Sequence, residues 1–338
     1  MARVGLVLGA GGFVGQAYHA GVLAALEEVL GWDPRWADVV VGSSAGSLTG
    51  AALRLGVPAR DLMASATGQP LSAEGAFLAA FDQEGPAIPP FDARHALSGW
   101  RLPSSGLLTR TARRPWAFRP FSAAATLLPA GFVDITVSAE ALAPFLGDQW
   151  PDGLWVCAAR RDDGARTTFG RPGAPDAPLG RAVAASCAIP GYFSPVEIDG
   201  IEYLDGGVHS PTNADVVRGE NLDLVIVSSP MSIAHGRART ADAGIRWAAH
   251  RRLDREVRRL RAAGTEVVRI EPTAITRAVM GMNAMADDRS GPVARAAQAD
   301  TAAYLAQTAV SARLASLSNG SRTQHAGEQR SRRSTSAA

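Results

Sequence analysis

No stretch of this sequence approaches the roughly 20 apolar residues that a helix needs to cross a bilayer, which excludes a helical membrane span. Cysteine is nearly absent. The two present, Cys157 in LWVCAA and Cys187 in ASCAIPG, sit in apolar surroundings that suit buried, reduced thiols and exclude a disulfide framework or a cysteine metal site. Charge of one sign is lacking too: 34 basic residues against 32 acidic ones leave a net charge of +2, so no case for nucleic acid arises. Lysine is missing altogether and every basic side chain is arginine, a compositional bias from which no function follows. The N-terminus MARVGLVLGAGG has one charge and an apolar run that stops at glycines, too short for a secretory core, and this predicts a cytoplasmic protein.

What is present is a globular composition, 46% hydrophobic and 20% charged, over 338 residues, enough for one or two domains. Residues 3–8, RVGLVL, read as a buried strand that ends in GAGG, and GQAYHAGVLAALEEVLG then carries apolar residues at helical spacing. The pattern repeats at once: ADVVV is a strand, GSSAG a turn, and SLTGAALRLG a helix ended by Gly56 and Pro58. Two such units predict an α/β fold with a mainly parallel sheet. LWVCAAR, RTTFG, IEYL, LDLVIVSSP and TEVVRIEP supply later strands.

Between about 72 and 150 the pattern breaks into scattered Pro and Gly with ten of the chain's seventeen Phe and Trp, among them Trp116 and Phe118. This predicts a helical, aromatic-rich insertion acting as a lid or binding wall. Residues 237–261 hold nine arginines and three acids in a helical pattern, read as a solvated face with a membrane-surface helix as the alternative. The last segment, 318–338, is polar and free of aromatics, and reads as a disordered basic tail after a single domain spanning 1–317.

The pentapeptide GSSAG places Ser44 on a tight turn between strand and helix, where flanking glycines relieve crowding and the hydroxyl projects at the carboxyl end of the sheet. A nucleophilic serine needs donors for the oxyanion formed on acyl attack. In a parallel sheet both turns emerge at one edge, so the N–H groups of Gly11 and Gly12 would face Ser44 as an oxyanion hole. The same turn makes a poor dinucleotide loop, because no glycine follows Gly11 by three and no acid ends a second strand about 20 residues on. For the base, none of the histidines at 19, 95, 209, 235, 250 and 325 follows a strand end where a triad would need it. Asp205 does, in IEYLDGGVHSPTNA, and burial would raise the pKa of a carboxylate asked to take a serine proton. The scattered acids form no calcium loop, so neither metal nor cofactor is expected.

Together LVLGAGGFVGQAYHAGVLAAL, VGSSAGS and ASCAIPGYFSPVEIDGIEYLDGGVHSPTNA resemble the patatin-like phospholipase family. The resemblance implies a three-layer α/β/α sandwich and a calcium-independent lipid acyl hydrolase working through a Ser-Asp dyad, with Ser44 as nucleophile, Asp205 as base and the glycine loop as oxyanion hole. One position departs from the family's loop, which usually carries Arg or Lys where this chain has Val14. The implied substrate is a lipid or acyl ester, with peripheral association at the membrane and no nucleic acid. Two alternatives stay open: acyl transfer to an alcohol on the same dyad, and a catalytically silent lipid-binding protein.

Overall fold

All five residues of β1 (Val4–Leu8) are buried, as befits a strand in the middle of a sheet covered on both faces. The computed structural model describes residues 2–76, 78, 131, 133–136, 149–233, 242–308 and 310–314. Most of the aromatic-rich insertion, with Trp116 and Phe118, and the whole of the basic tail lie outside the described residues.

After β1 come α1 (Gly12–Leu30), β2 (Val39–Ser43), α2 (Ala45–Arg54) and α3 (Ala59–Thr67). Beyond the insertion follow β3 (Leu154–Arg160), β4 (Arg166–Phe169), α4 (Leu179–Cys187), β5 (Val196–Ile198) and β6 (Ile201–Asp205). The chain closes with β7 (Leu224–Ser228), α5 (Ala243–Ala262), β8 (Glu266–Ile270), α6 (Ala274–Met280) and α7 (Ser290–Leu305). β3, β2, β1, β7 and β8 lie side by side and parallel, while β4, β5 and β6 join through antiparallel pairs.

The strands alternate, and the alternation makes the layers. Leu6, Leu8, Val40, Val156 and Ile226 pack with Leu23 and Leu26 of α1 and Leu53 of α2. Val7, Val41, Val225, Val227 and Val267 pack on the other side with Leu253, Val257 and Leu260 of α5. The result is the three-layer α/β/α sandwich with a mainly parallel sheet, and each fully buried leucine contributes roughly 1.5–3 kcal/mol to it. Both cysteines are free and buried.

Helix α5 bears out the reading of residues 237–261 as a solvated face for most of its arginines and departs from it at two buried residues, while 237–241 lie outside the described residues. Arg251, Arg255, Arg258, Arg259 and Arg261 are exposed, but Arg246 and Glu256 are buried and bonded inside the fold. Helical spacing sets their direction: Ala249, Leu253, Val257 and Leu260 turn to the sheet and carry Glu256 in with them.

Candidate active site

Strand β2 ends at Ser43 and α2 begins at Ala45, so Ser44 alone makes the turn. It does so with φ 53 and ψ −123, a left-handed conformation that costs a non-glycine residue about 1–3 kcal/mol. Its neighbours explain the spacing of the pentapeptide. A Cβ on Gly46 would lie 2.0 Å from the Leu8 carbonyl oxygen, and one on Gly42 would lie 2.4 Å from the Ser47 Cα. Only glycine lets α2 start this close to the ends of both strands. The Ser44 N–H donates to the Ser186 Oγ at 2.9 Å, and that hydroxyl donates to the Cys157 carbonyl at 2.7 Å, which fastens the strained turn to β3.

Strand β3 brings the carboxylate to the serine. β4 takes one edge of β3 from Val156 to Ala159, and the other edge is shared. Along that edge β2 runs parallel until Ser43 stands opposite Cys157, and β6 arrives antiparallel until Asp205 stands opposite Ala158. The carboxyl ends of β2 and β6 therefore meet head to head, one register position apart. The chain escapes through a 3-10 turn at Gly206–Val208, where a Cβ on Gly206 would lie 2.2 Å from the Cys157 carbonyl oxygen.

Asp205 is buried, and burial pushes its carboxyl up to about 6. Hydrogen bonding from the Ser44 side chain and from the Gly207 N–H, 2.6 Å from Oδ1, pulls the other way without cancelling the effect. Cys187 lines the same spot, its Sγ 3.7 Å from the Ser47 Oγ, and burial with the Asp205 charge pushes its thiol up to about 12. It stays a neutral thiol.

The glycine turn lies between the two. Gly9 N–H donates to the Ser228 carbonyl at 3.0 Å and Ala10 N–H to the Pro211 carbonyl at 2.7 Å. The next two N–H groups, of Gly11 and Gly12, face no acceptor among the described residues, at the N-terminal end of α1 where donors and dipole favour negative charge. Gly12 has φ 62 and packs against the Ala284 carbonyl. Built Cβ atoms would bring Gly15 within 3.7 Å of the Ala45 methyl and Gly207 within 3.2 Å of the Ala10 methyl, so the three turns touch. Val14 is buried in the core, and its N–H donates to Ala284.

Four residues that sequence reasoning passed over hold these turns. His19 lies wholly buried in α1, its Nε2 2.7 Å from the Gly9 carbonyl and its Nδ1 2.8 Å from the Ser228 Oγ. A carbonyl only accepts, so Nε2 carries the proton and Nδ1 accepts from Ser228, while burial lowers the ring to about 4 and keeps it neutral. Asn213, at φ 52, donates from Nδ2 toward the Ser43 Oγ and the carbonyls of Gly206 and Ser210, tying the turn after Asp205 to the end of β2. Glu256 of α5 accepts from the Ser210 and Thr212 hydroxyls and the Ala214 N–H. Ser186 is the fourth. Asn213 and Ser186 stand inside the motifs already quoted, but Glu256 lies over forty residues from its partners and has no local signal. The His209 Nδ1 stands 3.5 Å from the Gly164 carbonyl in the turn after β3. His95, His235 and His325 lie outside the described residues.

Among the described residues no group of three or more His, Cys, Asp or Glu is placed to hold a metal ion, and no helix is long and apolar enough to cross a membrane. Fold and site define an α/β/α protein with a serine on a strained strand-to-helix turn, set beside a buried carboxylate and backbone donors that meet no acceptor among the described residues. The chain belongs to the patatin-like phospholipase family, whose sequence model matches residues 6–218. Among curated proteins it is similar to uncharacterized NTE family proteins of Mycobacterium bovis and Mycobacterium tuberculosis, 40% identical over 68 residues. That match covers 20% of this chain and spans only 19% of the relatives' length. Among solved structures it is similar to VipD from Legionella pneumophila, at 14% identity and a TM-score of 0.41 over 90% of this chain and 67% of the other. It is also similar to ExoU in the ExoU-SpcU complex of Pseudomonas aeruginosa, at 16% identity and a TM-score of 0.35 over 90% and 51%.

Proposed function

We propose that this protein is a lipid acyl hydrolase that cleaves carboxylic esters of phospholipids, lysophospholipids or acylglycerols through an acyl-serine intermediate. The observation that carries the reading is the placement of Ser44, on its strained turn, against the buried carboxyl of Asp205, with the free N–H groups of Gly11 and Gly12 on the adjoining turn. Membership of the family supports a lipid substrate.

The chemistry follows from these positions. Asp205 accepts the Ser44 hydroxyl proton as Oγ attacks the ester carbonyl carbon. Gly11 and Gly12 donate to the oxyanion, a contribution worth about 10²- to 10³-fold in rate for each donor. The tetrahedral intermediate collapses, the C–O bond to the alcohol breaks, and Asp205 returns the proton to that alcohol. Water then attacks the acyl-serine, Asp205 takes its proton, and the fatty acid leaves as the Ser44 hydroxyl is restored. An ordinary carboxylate is a weak base for this work, and the upward shift to about 6 brings Asp205 nearer the operating pH. The departure at Val14 leaves the backbone donors in place, since the hole needs no side chain there. The closeness of Ser44, Asp205 and the Gly11–Gly12 donors supports catalysis over silent binding.

The test is a hydrolysis screen over short-chain esters, lysophospholipids and phospholipids, with Ser44→Ala as control. Release of fatty acid by the wild type alone supports the reading. Equal release by Ser44→Ala, or none from any ester, contradicts it.

A further inference from the structure

Helix α5 buries one side against the sheet and leaves the other without cover among the described residues. Trp247, Arg251, Arg255 and Arg258 follow one another at steps of four, four and three residues, so they form a stripe about 17 Å long down the open side. All four are exposed, Trp247 by 58%, and Ile245 at the same end of the helix by 56%. The Arg251 guanidinium lies 5.4 Å from the centre of the Trp247 ring.

Exposed arginines alone need no explanation; an exposed tryptophan heading a stripe of three arginines that make no ion pair among the described residues does. Off the stripe the arginines of α5 are engaged within the fold: Arg246 with Asp242, Arg252 with Glu256, Arg259 with Asp215. Among the described residues no ion pair holds Arg251, Arg255 or Arg258, and the nearby Asp254, which also feels the Arg258 charge, is bound by Arg269 and His250. A tryptophan prefers the level of lipid headgroups, where its ring and its N–H are both satisfied, and arginines beside it attract anionic headgroups.

We propose that this stripe is a docking surface for an anionic lipid bilayer, with Trp247 entering the headgroup region and Arg251, Arg255 and Arg258 pairing with headgroup anions. The stripe also bears on the candidate site. Arg246, next to Trp247, donates from Nη1 to the Pro230 carbonyl at 2.8 Å, and a Cβ on Gly11 would lie 2.8 Å from the Pro230 Cγ. The end of α5 that meets the bilayer is thus linked through one proline to the glycine turn. That catalytic benefit rests on the reading of Ser44 as nucleophile, whereas the docking itself does not.

The experiment is sedimentation with vesicles of phosphatidylcholine alone and of phosphatidylcholine with phosphatidylserine. The full chain is used in a Ser44→Ala background, so that hydrolysis does not alter the vesicles. Binding is expected to the anionic vesicles, weakening with salt. Each surface arginine is worth about fivefold in partitioning, so Arg251→Gln/Arg255→Gln/Arg258→Gln loses on the order of 10²-fold. The matching triple lysine variant keeps the charge and the binding, which separates charge from any folding effect of the substitutions. Trp247→Ser weakens binding at unchanged salt dependence. The proposal is overturned if the wild type does not bind anionic vesicles, if the glutamine variant binds as the wild type does, or if a short DNA duplex binds the stripe as tightly as the vesicles. Hydrolysis of soluble short-chain esters by the active-serine protein reports separately on Ser44, so failure of the docking surface and failure of the functional reading are distinguishable.

Discussion

Ser43 and Asp205 occupy consecutive positions on one edge of β3, opposite Cys157 and Ala158, although 162 residues apart in the chain. That edge puts the residue after Ser43, the strained Ser44, beside the Asp205 carboxyl. Neither strand alone carries the site.

If Ser44 and Asp205 act as one unit, their losses do not multiply. Ser44→Ala and Asp205→Asn are each expected to lower kcat by several powers of ten, and the double variant to be little worse than the weaker single one. Steady-state kinetics on a soluble ester measures this. Clearly multiplicative losses contradict the dyad.

The shift on Asp205 also predicts opposite effects on activity and stability. Its folded pKa of about 6 lies above an unfolded value of about 3.9, so its contribution to stability is fully present below the unfolded value and is lost as pH rises through 6. At pH 7 the buried charge therefore costs stability, on the order of 2–3 kcal/mol. Asp205→Asn, which keeps an oxygen to accept from Gly207, should raise Tm at pH 7 and lose that advantage near pH 4. Activity of the wild type should rise with pH through about 6, because the base must be ionised. A lower Tm for Asp205→Asn at pH 7 contradicts the assignment.

Ser186 is expected to matter through Ser44. Ser186→Ala leaves the Ser44 N–H and the Cys157 carbonyl without their buried partner, at a cost of about 1–3 kcal/mol. The loosened turn should lower kcat by roughly tenfold or more with KM little changed. Ser186→Thr keeps the hydroxyl and should restore much of both. Loss of stability with kcat intact reduces Ser186 to a packing residue.

The two described histidines near the turns should behave differently. His209 faces the Gly164 carbonyl, and His209→Ala is expected to cost tenfold or less, against about 10⁴-fold or more for a true triad histidine. His19 holds the glycine turn. Its folded pKa of about 4 lies below the unfolded value of about 6.5, so its stability contribution is present above 6.5 and lost as pH falls through 4. His19→Gln should flatten the fall of Tm in that window. A His209→Ala protein that is folded yet as inactive as Ser44→Ala overturns the two-residue account.

Periodicity and turn chemistry made much of the fold legible. The turn Gly9–Gly12 and GSSAG each end an apolar run and open a helical one, although both helices begin earlier than the spacing predicts, α1 at Gly12 rather than Gly15 and α2 at Ala45 rather than Ser47. Asp205 was legible for the same reason: it closes an apolar strand and precedes two glycines. What escaped was long-range. Nothing near Glu256 announces that a carboxylate in an arginine-rich helix turns inward, because its partners Ser210 and Thr212 are recognised only once α5 lies under that loop. His19 gave no signal either, since apolar neighbours at helical spacing mark a core face and not the carbonyl it meets. The antiparallel arrival of β6 was likewise unreadable, since local sequence does not state which edge of which strand it joins.

The most direct test of the central claim is the site and rate of fluorophosphonate labelling, read by peptide mass spectrometry. An activated serine reacts fast and a bystander does not. The account predicts a single adduct on Ser44, slowed by orders of magnitude in Asp205→Asn and unaffected in His209→Ala. An adduct on another residue, or labelling of Ser44 at the same rate without Asp205, contradicts it.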